Sequence, residues 1–139
     1  MARPPRYTPR VKTDIVTLFQ ALADRTRLRL LNLLSGGELC VCYLVEILGE
    51  AQPKISRHLG YLRRAGVVAA RRDGKWIHYR VTRPADAQQA RVLDCVLGVL
   101  AGDRAMQRDR AQLERACCAV RLPASLQNAP KPEPRTQPS

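Results

Sequence analysis

The stretch from Val41 to Val81, VCYLVEILGEAQPKISRHLGYLRRAGVVAARRDGKWIHYRV, constrains the fold more than any other part of the chain. Leu44, Ile47 and Leu48 recur at helical spacing and Gly49 follows where helices commonly end, so Val41 to Leu48 is expected as a short helix. A tight turn comes next. Pro53 suits the first position of a new helix, where its missing N–H costs nothing, and Gly66 supplies the next stop signal. In this second helix Ile55, Leu59 and Leu62 should face inward, leaving Lys54, Arg57, His58 and Tyr61 on the opposite side. Val67 to Arg72 and Lys75 to Val81 then alternate as strands about Asp73-Gly74, a strong hairpin signal. The expected unit is mainly α with a β-hairpin wing: a winged helix-turn-helix whose second helix presents a basic outer face.

Charge placement agrees with contact to a polyanion. Residues 54 to 83 hold nine Lys or Arg and one acid, which is +8 of the chain's formal +12. A charge concentrated on one helix-and-wing surface is what neutralising DNA phosphates requires. The bias toward Arg (twenty, against four Lys) carries less weight, because a GC-rich genome explains it equally well.

A chain of 139 residues with 45% apolar content suits one domain with a modest core. Residues 1–12 hold three prolines and four positive charges and are expected as a flexible basic arm. Residues 13–118 form the expected folded domain. Ile15, Leu18, Phe19 and Leu22 give a first helix begun by Thr13 or Asp14; Asp24 caps a second, with Leu28, Leu31 and Leu34 inward and Arg25, Thr26, Arg27 and Arg29 outward. Pro84 should open a helix whose Val92, Leu93, Val96, Leu97 and Leu100 form a stripe broad enough to need a partner, and Asp103 should cap a last helix running to about Cys118. Residues 119–139, rich in proline, are expected as a disordered tail. No apolar run approaches the ~20 residues of a membrane span, so a cytoplasmic protein without a membrane partner is expected.

Five cysteines at irregular spacing suit free thiols better than a disulfide framework. Cys40 and Cys42, just before the helix-turn-helix, suit a soft, thiophilic ion. If both lay on one regular helix they would be about 200° apart, and joining them would distort the first turn. Their alternative role is as small hydrophobes. The only histidines, His58 and His78, lie in the recognition helix and the wing, so a nitrogen-rich zinc or nickel site lacks ligands. No phosphate-cradling loop, Gly-rich cofactor turn or Cys-His-acid set supports an enzyme.

The runs ALADRTRLRLLNLL (21–34), ELCVC (38–42), QPKISRHLGYLRRAGVV (52–68) and RRDGKWIHYRV (71–81) together resemble the ArsR/SmtB family of metal-responsive repressors, and within it the arsenic-responsive branch. The resemblance implies a homodimer that binds an inverted-repeat operator in double-stranded DNA and leaves it when As(III) or Sb(III) binds cysteine thiolates. It implies that Gln52, Lys54, Ser56, Arg57, His58, Tyr61, Arg71, Arg72 and Lys75 touch DNA and that Cys40 and Cys42 hold the inducer. One position departs from the family pattern: Val45 stands where a third cysteine is usual. Trivalent arsenic prefers three sulfurs, so Cys117 and Cys118 are candidate donors. Cys95 is expected in the core, and a two-thiol site completed by a small external ligand is the remaining option. A thiol redox switch or a Cd/Pb-responsive repressor of the same fold is the alternative function.

Overall fold

The computed structural model describes residues 13–118 and 122–133. The flexible arm expected over residues 1–12, and residues 119–121 and 134–139 of the expected tail, lie outside the described residues. Six helices, α1 (Ile15–Leu22), α2 (Arg25–Leu34), α3 (Val41–Leu48), α4 (Gln52–Arg64), α5 (Ala87–Gly102) and α6 (Arg104–Cys118), accompany three strands, β1 (Leu39–Cys40), β2 (Val68–Asp73) and β3 (Trp76–Val81).

Local signals set most boundaries. The Asp24 carboxylate accepts from the Arg27 N–H at the start of α2, and Asp103 accepts from the Met106 N–H at the start of α6. Gly49 closes α3 in the left-handed conformation, φ 67°. Helix α4 turns Ile55, Leu59 and Leu62 inward, all three fully buried, against a core built on Leu30, Leu31, Tyr43 and Leu44. Its start has no side-chain cap, and Pro53 in the first turn reduces the need for one by removing a donor.

Four sequence expectations change. The wing has three strands, in the order β1-β3-β2, because Leu39 and Cys40 pair antiparallel with Tyr79 and His78. Its turn lies one residue later than expected: Asp73 pairs with Trp76, and Gly74 (φ 60°) takes the positive φ that the first central residue of a II′ turn needs. Helix α5 begins after Asp86, not at Pro84, since the Asp86 carboxylate caps the N–H groups of Gln88 and Gln89. Residues 122–133 are placed on the domain: Ala124–Leu126 forms a 3-10 turn against α3, with Leu126 fully buried and the Ser125 hydroxyl donating to the Glu46 carboxylate. Leu122, Leu126 and Ala129 supply the apolar contacts there, outnumbered in sequence by prolines and polar residues.

Helix α6 is fastened to α2 by a two-pronged ion pair, Arg29 Nε to Asp109 Oδ2 at 2.7 Å and Nη2 to Oδ1 at 3.1 Å, which also raises the Arg29 pKa. Its apolar side, Met106, Leu113 and Cys117, is buried as expected. The stripe on α5 is divided. Leu93 and Leu100 reach the core, whereas Val99 is 72% exposed and, with Phe19, Leu22, Leu28, Val92 and Val96, lines an open groove of about 600 Å³. Cys95 lines the same groove and is exposed, contrary to the core position expected. On α1, Leu18 and Leu22 face inward while Ile15, Val16 and Phe19 remain exposed, so α1 and α5 together present one uncovered apolar face.

Candidate thiol site and DNA-facing surface

Cys40 ends β1 and is the N-cap of α3, in extended conformation (φ −64°, ψ 143°), with Cys42 one residue into the helix. The half-turn separation expected for two helical residues therefore does not apply, because Cys40 is not helical. The two thiols are close enough to interact. The Cys40 thiol is pushed up to about 11, chiefly by burial and also by proximity to Cys42, against the backbone N–H groups of Cys42 and Val41. The Cys40 side chain makes no capping hydrogen bond. Cys40 is buried and Cys42 half-buried.

Tyr43 connects this pair to α6. It is fully buried, and its hydroxyl has no hydrogen-bond partner. Burial raises its pKa, and the thiol groups of Cys117, Cys40 and Cys42, in that order, raise it further. Cys117 is buried on α6 where that helix meets α3; Cys118, beside it, is exposed. The structure thus separates two cysteines that sequence left equivalent. No group of three or more His, Cys, Asp or Glu among the described residues stands close enough together to hold a metal ion.

The DNA-facing candidates also divide. Gln52, Lys54, Ser56, Arg57 and Tyr61 are exposed on α4, and Arg72 and Lys75 on the wing. Lys54 is tied to Glu50 at 3.2 Å, an exposed pair of small energetic consequence. Tyr61 lies between the Arg27 and Arg64 guanidinium groups, 4.7 and 4.6 Å from its ring centre. Two candidates are held elsewhere. His58 is half-buried against α2, its Nδ1 3.3 Å from Arg27 Nη1 and 3.8 Å from the Asp24 carboxylate. Arg71 grips Glu38 through Nε (2.9 and 3.0 Å) and Nη2 (2.5 Å), joining β2 to the residue before β1. Beside it, His78 is buried on β3 with its Nε2 unpartnered; burial and the Arg71 charge hold its pKa down, against Glu38 and Asp73.

Sequence reasoning missed Tyr43, Arg27 and Glu38. Arg27 donates to the backbone carbonyls of Ala21 and Gln20 at 2.8 Å each, which locks the α1–α2 corner under Tyr61. The Glu38–Arg71 pairing spans 33 residues and leaves no periodic trace, although an acid two residues before a cysteine pair was a usable hint for Glu38. Among the described residues no helix is long and apolar enough to cross a membrane.

The chain is similar to known proteins. Residues 24–70 match the family model described as bacterial regulatory protein, arsR family. The arsenical resistance operon repressor of Escherichia coli is 50% identical over 80 residues, covering 57% of this chain and 68% of that protein. An arsenic resistance transcriptional regulator of Pseudomonas putida is 52% identical over 65 residues, 46% of this chain and 51% of that protein, so this chain spans about half its length. Among solved structures, the transcriptional repressor BigR from Xylella fastidiosa is similar with a TM-score of 0.50 and 34% identity, over 61% of this chain and 84% of that one. The chain belongs to the ArsR family, whose members are winged helix-turn-helix transcriptional repressors and not enzymes.

Proposed function

We propose that this protein is an arsenite- or antimonite-responsive repressor, cytoplasmic and homodimeric, that leaves an inverted-repeat operator when As(III) or Sb(III) binds Cys40 and Cys42, with Cys117 as third donor. The observation that carries this reading is the position of the thiol pair. Cys40 and Cys42 sit at the junction of β1 with α3, so they adjoin both the sheet of the wing and the helix that precedes α4. The resistance functions in the names of the Escherichia coli and Pseudomonas putida relatives support arsenic over other soft ions. Each As–S bond replaces an As–OH bond, the thiol proton leaving with the hydroxide as water. The high pKa of the Cys40 thiol is therefore no obstacle, since no free thiolate need accumulate first.

Ligation would shift the balance between two arrangements rather than block DNA sterically. Cys40 pairs with His78 on β3, so a displacement of its backbone acts on the wing; Cys42 lies on α3, which packs on α4. Anisotropy of a labelled inverted-repeat duplex, selected from a random pool and titrated with As(III), Sb(III), Cd(II) and Zn(II), tests the function. Release by Zn(II) alone would exclude it.

The third donor is tested separately. X-ray absorption should find three sulfurs around arsenic in the wild type and in Cys118→Ser, and two in Cys117→Ser. Three sulfurs retained in Cys117→Ser would return the question to Cys118 or Cys95.

For DNA, Gln52, Lys54, Ser56, Arg57 and Tyr61 are the proposed groove-facing residues, with Arg72 and Lys75 on phosphates. His58 and Arg71 instead hold this surface in place through Arg27, Asp24 and Glu38. Arg72→Ala and Lys75→Ala should each flatten the dependence of log affinity on log salt by about one unit and weaken all sequences alike. An unchanged slope in both variants would remove the wing from the interface.

A further inference from the structure

Half-buried Arg27 joins two helices that have different tasks. Its Nε and Nη2 donate to the carbonyls of Ala21 and Gln20, 2.8 Å each, in the last turn of α1. Carbonyls at a helix end lack the N–H groups that a further turn would bring, and the planar guanidinium meets two of them at once. On its other side, Nη1 lies 3.3 Å from Nδ1 of His58, and the guanidinium carbon lies 4.7 Å from the ring centre of Tyr61, both on α4. Helix α1 carries Ile15, Val16 and Phe19 of the uncovered apolar face, whereas α4 carries the exposed polar and basic residues assigned above to the groove. The two helices also pack together in the core. Apolar packing is non-directional, however, and the guanidinium bonds fix distance and angle.

We propose that Arg27 is a positioning residue for DNA recognition: by clamping the end of α1 to His58 and Tyr61 of α4, it holds the two recognition helices of the dimer at the spacing of the half-sites. This inference rests on the dimeric, operator-binding reading proposed above. A symmetric dimer built on α1 and α5 fixes the distance between its α4 helices only as firmly as each α1 is held to its own α4. One base pair added to the spacer moves a half-site by about 3.4 Å along the duplex and roughly 34–36° around it. A stiff joint rejects that operator, and a loose one tolerates it. The role needs the guanidinium and not merely a charge, since a lysine ammonium cannot hold two carbonyls in one plane and face a ring as well. Each guanidinium nitrogen has a partner inside the protein, so Arg27 is assigned no phosphate.

The test uses the full chain and three labelled duplexes: the selected inverted repeat, the same repeat with one base pair added to its spacer, and a single half-site. Anisotropy is followed over a range of salt. Arg27→Met and Arg27→Lys should both remain dimers by sedimentation velocity and bind the correctly spaced repeat about 10-fold more weakly, because a loosened joint lowers the effective concentration of the second half-site. Affinity for the single half-site should stay at the wild-type value, and the preference for correct over expanded spacing should narrow. The salt slope should not change in either variant. An equal loss on all three duplexes would overturn the proposal, since it assigns Arg27 to local support of α4. So would a slope lowered by about one unit in Arg27→Met and kept in Arg27→Lys, which marks a phosphate contact. If Arg27→Met does not fold, Arg27→Lys decides, and wild-type spacing preference in it refutes the role. The wild type separates the two claims. If it binds a single half-site as tightly as the repeat, the dimeric reading falls and this inference with it; if it discriminates and the variants discriminate equally, only the role of Arg27 fails.

Discussion

Cys40→Ser and Cys42→Ser should bind operator DNA within about twofold of the wild type and fail to release it at any As(III) concentration that empties the wild-type complex. Both halves of this expectation come from position. Cys40 is buried at the end of β1 and Cys42 half-buried in the first turn of α3, whereas the exposed basic residues lie on α4 and the wing, so neither thiol reaches DNA. A serine hydroxyl nearly matches the thiol in size but has none of its affinity for a soft ion. Anisotropy with the selected duplex, before and after arsenite, measures both quantities. A Cys40→Ser protein that still dissociates on arsenite would remove the central element of the proposed function. If DNA affinity falls without arsenite, the junction is instead supporting the wing, and the double variant should show the same loss.

The second large effect concerns assembly. Phe19→Glu combined with Val99→Glu should convert a homodimer to monomers at micromolar concentration and weaken operator binding by about 100-fold or more, since a monomer forfeits the effective concentration that joins two half-sites. Phe19 is 54% exposed and Val99 72% exposed, on a continuous apolar face of α1 and α5. A charge on each would have to be desolvated in a symmetric pairing, and the symmetry doubles the penalty. Both side chains point away from the core, so the monomer should remain folded. Sedimentation velocity and circular dichroism separate these outcomes: a folded variant that still sediments as a dimer places the contact elsewhere.

The helix-turn-helix was legible because periodicity and punctuation agreed. Ile55, Leu59 and Leu62 repeat at helical spacing, and all three are fully buried; Asp24 and Asp103 cap the helices they precede. Misreadings arose where one signal competed with another, near or distant. Pro84 suits a helix start, but the Asp86 carboxylate, two residues on, accepts from the Gln88 and Gln89 N–H groups and fixes the boundary. Strand β1 is two residues long and has no period to detect; it exists because Tyr79 and His78 stand opposite. His58 lies on the outward half of the α4 wheel, yet it faces Arg27 and Asp24 of α2, a pairing that α4 alone cannot reveal. The cysteines were legible as chemistry and not as geometry: spacing identifies the Cys40–Cys42 pair, whereas only the packing of α6 on α3 distinguishes Cys117 from Cys118.

The seat of Leu126 on α3 bears on how such a sensor would be tuned. Cys117 lies near the end of α6, which Met106 and Leu113 hold in the core, and Leu126 is buried against α3. Side chains packed into a core in this way resist displacement. Under the proposed reading, drawing Cys117 toward Cys40 and Cys42 strains that packing. The elastic energy stored there adds to the inducer concentration at which the repressor lets go, so an apolar side chain that touches neither ligand nor DNA helps to set the threshold of the response.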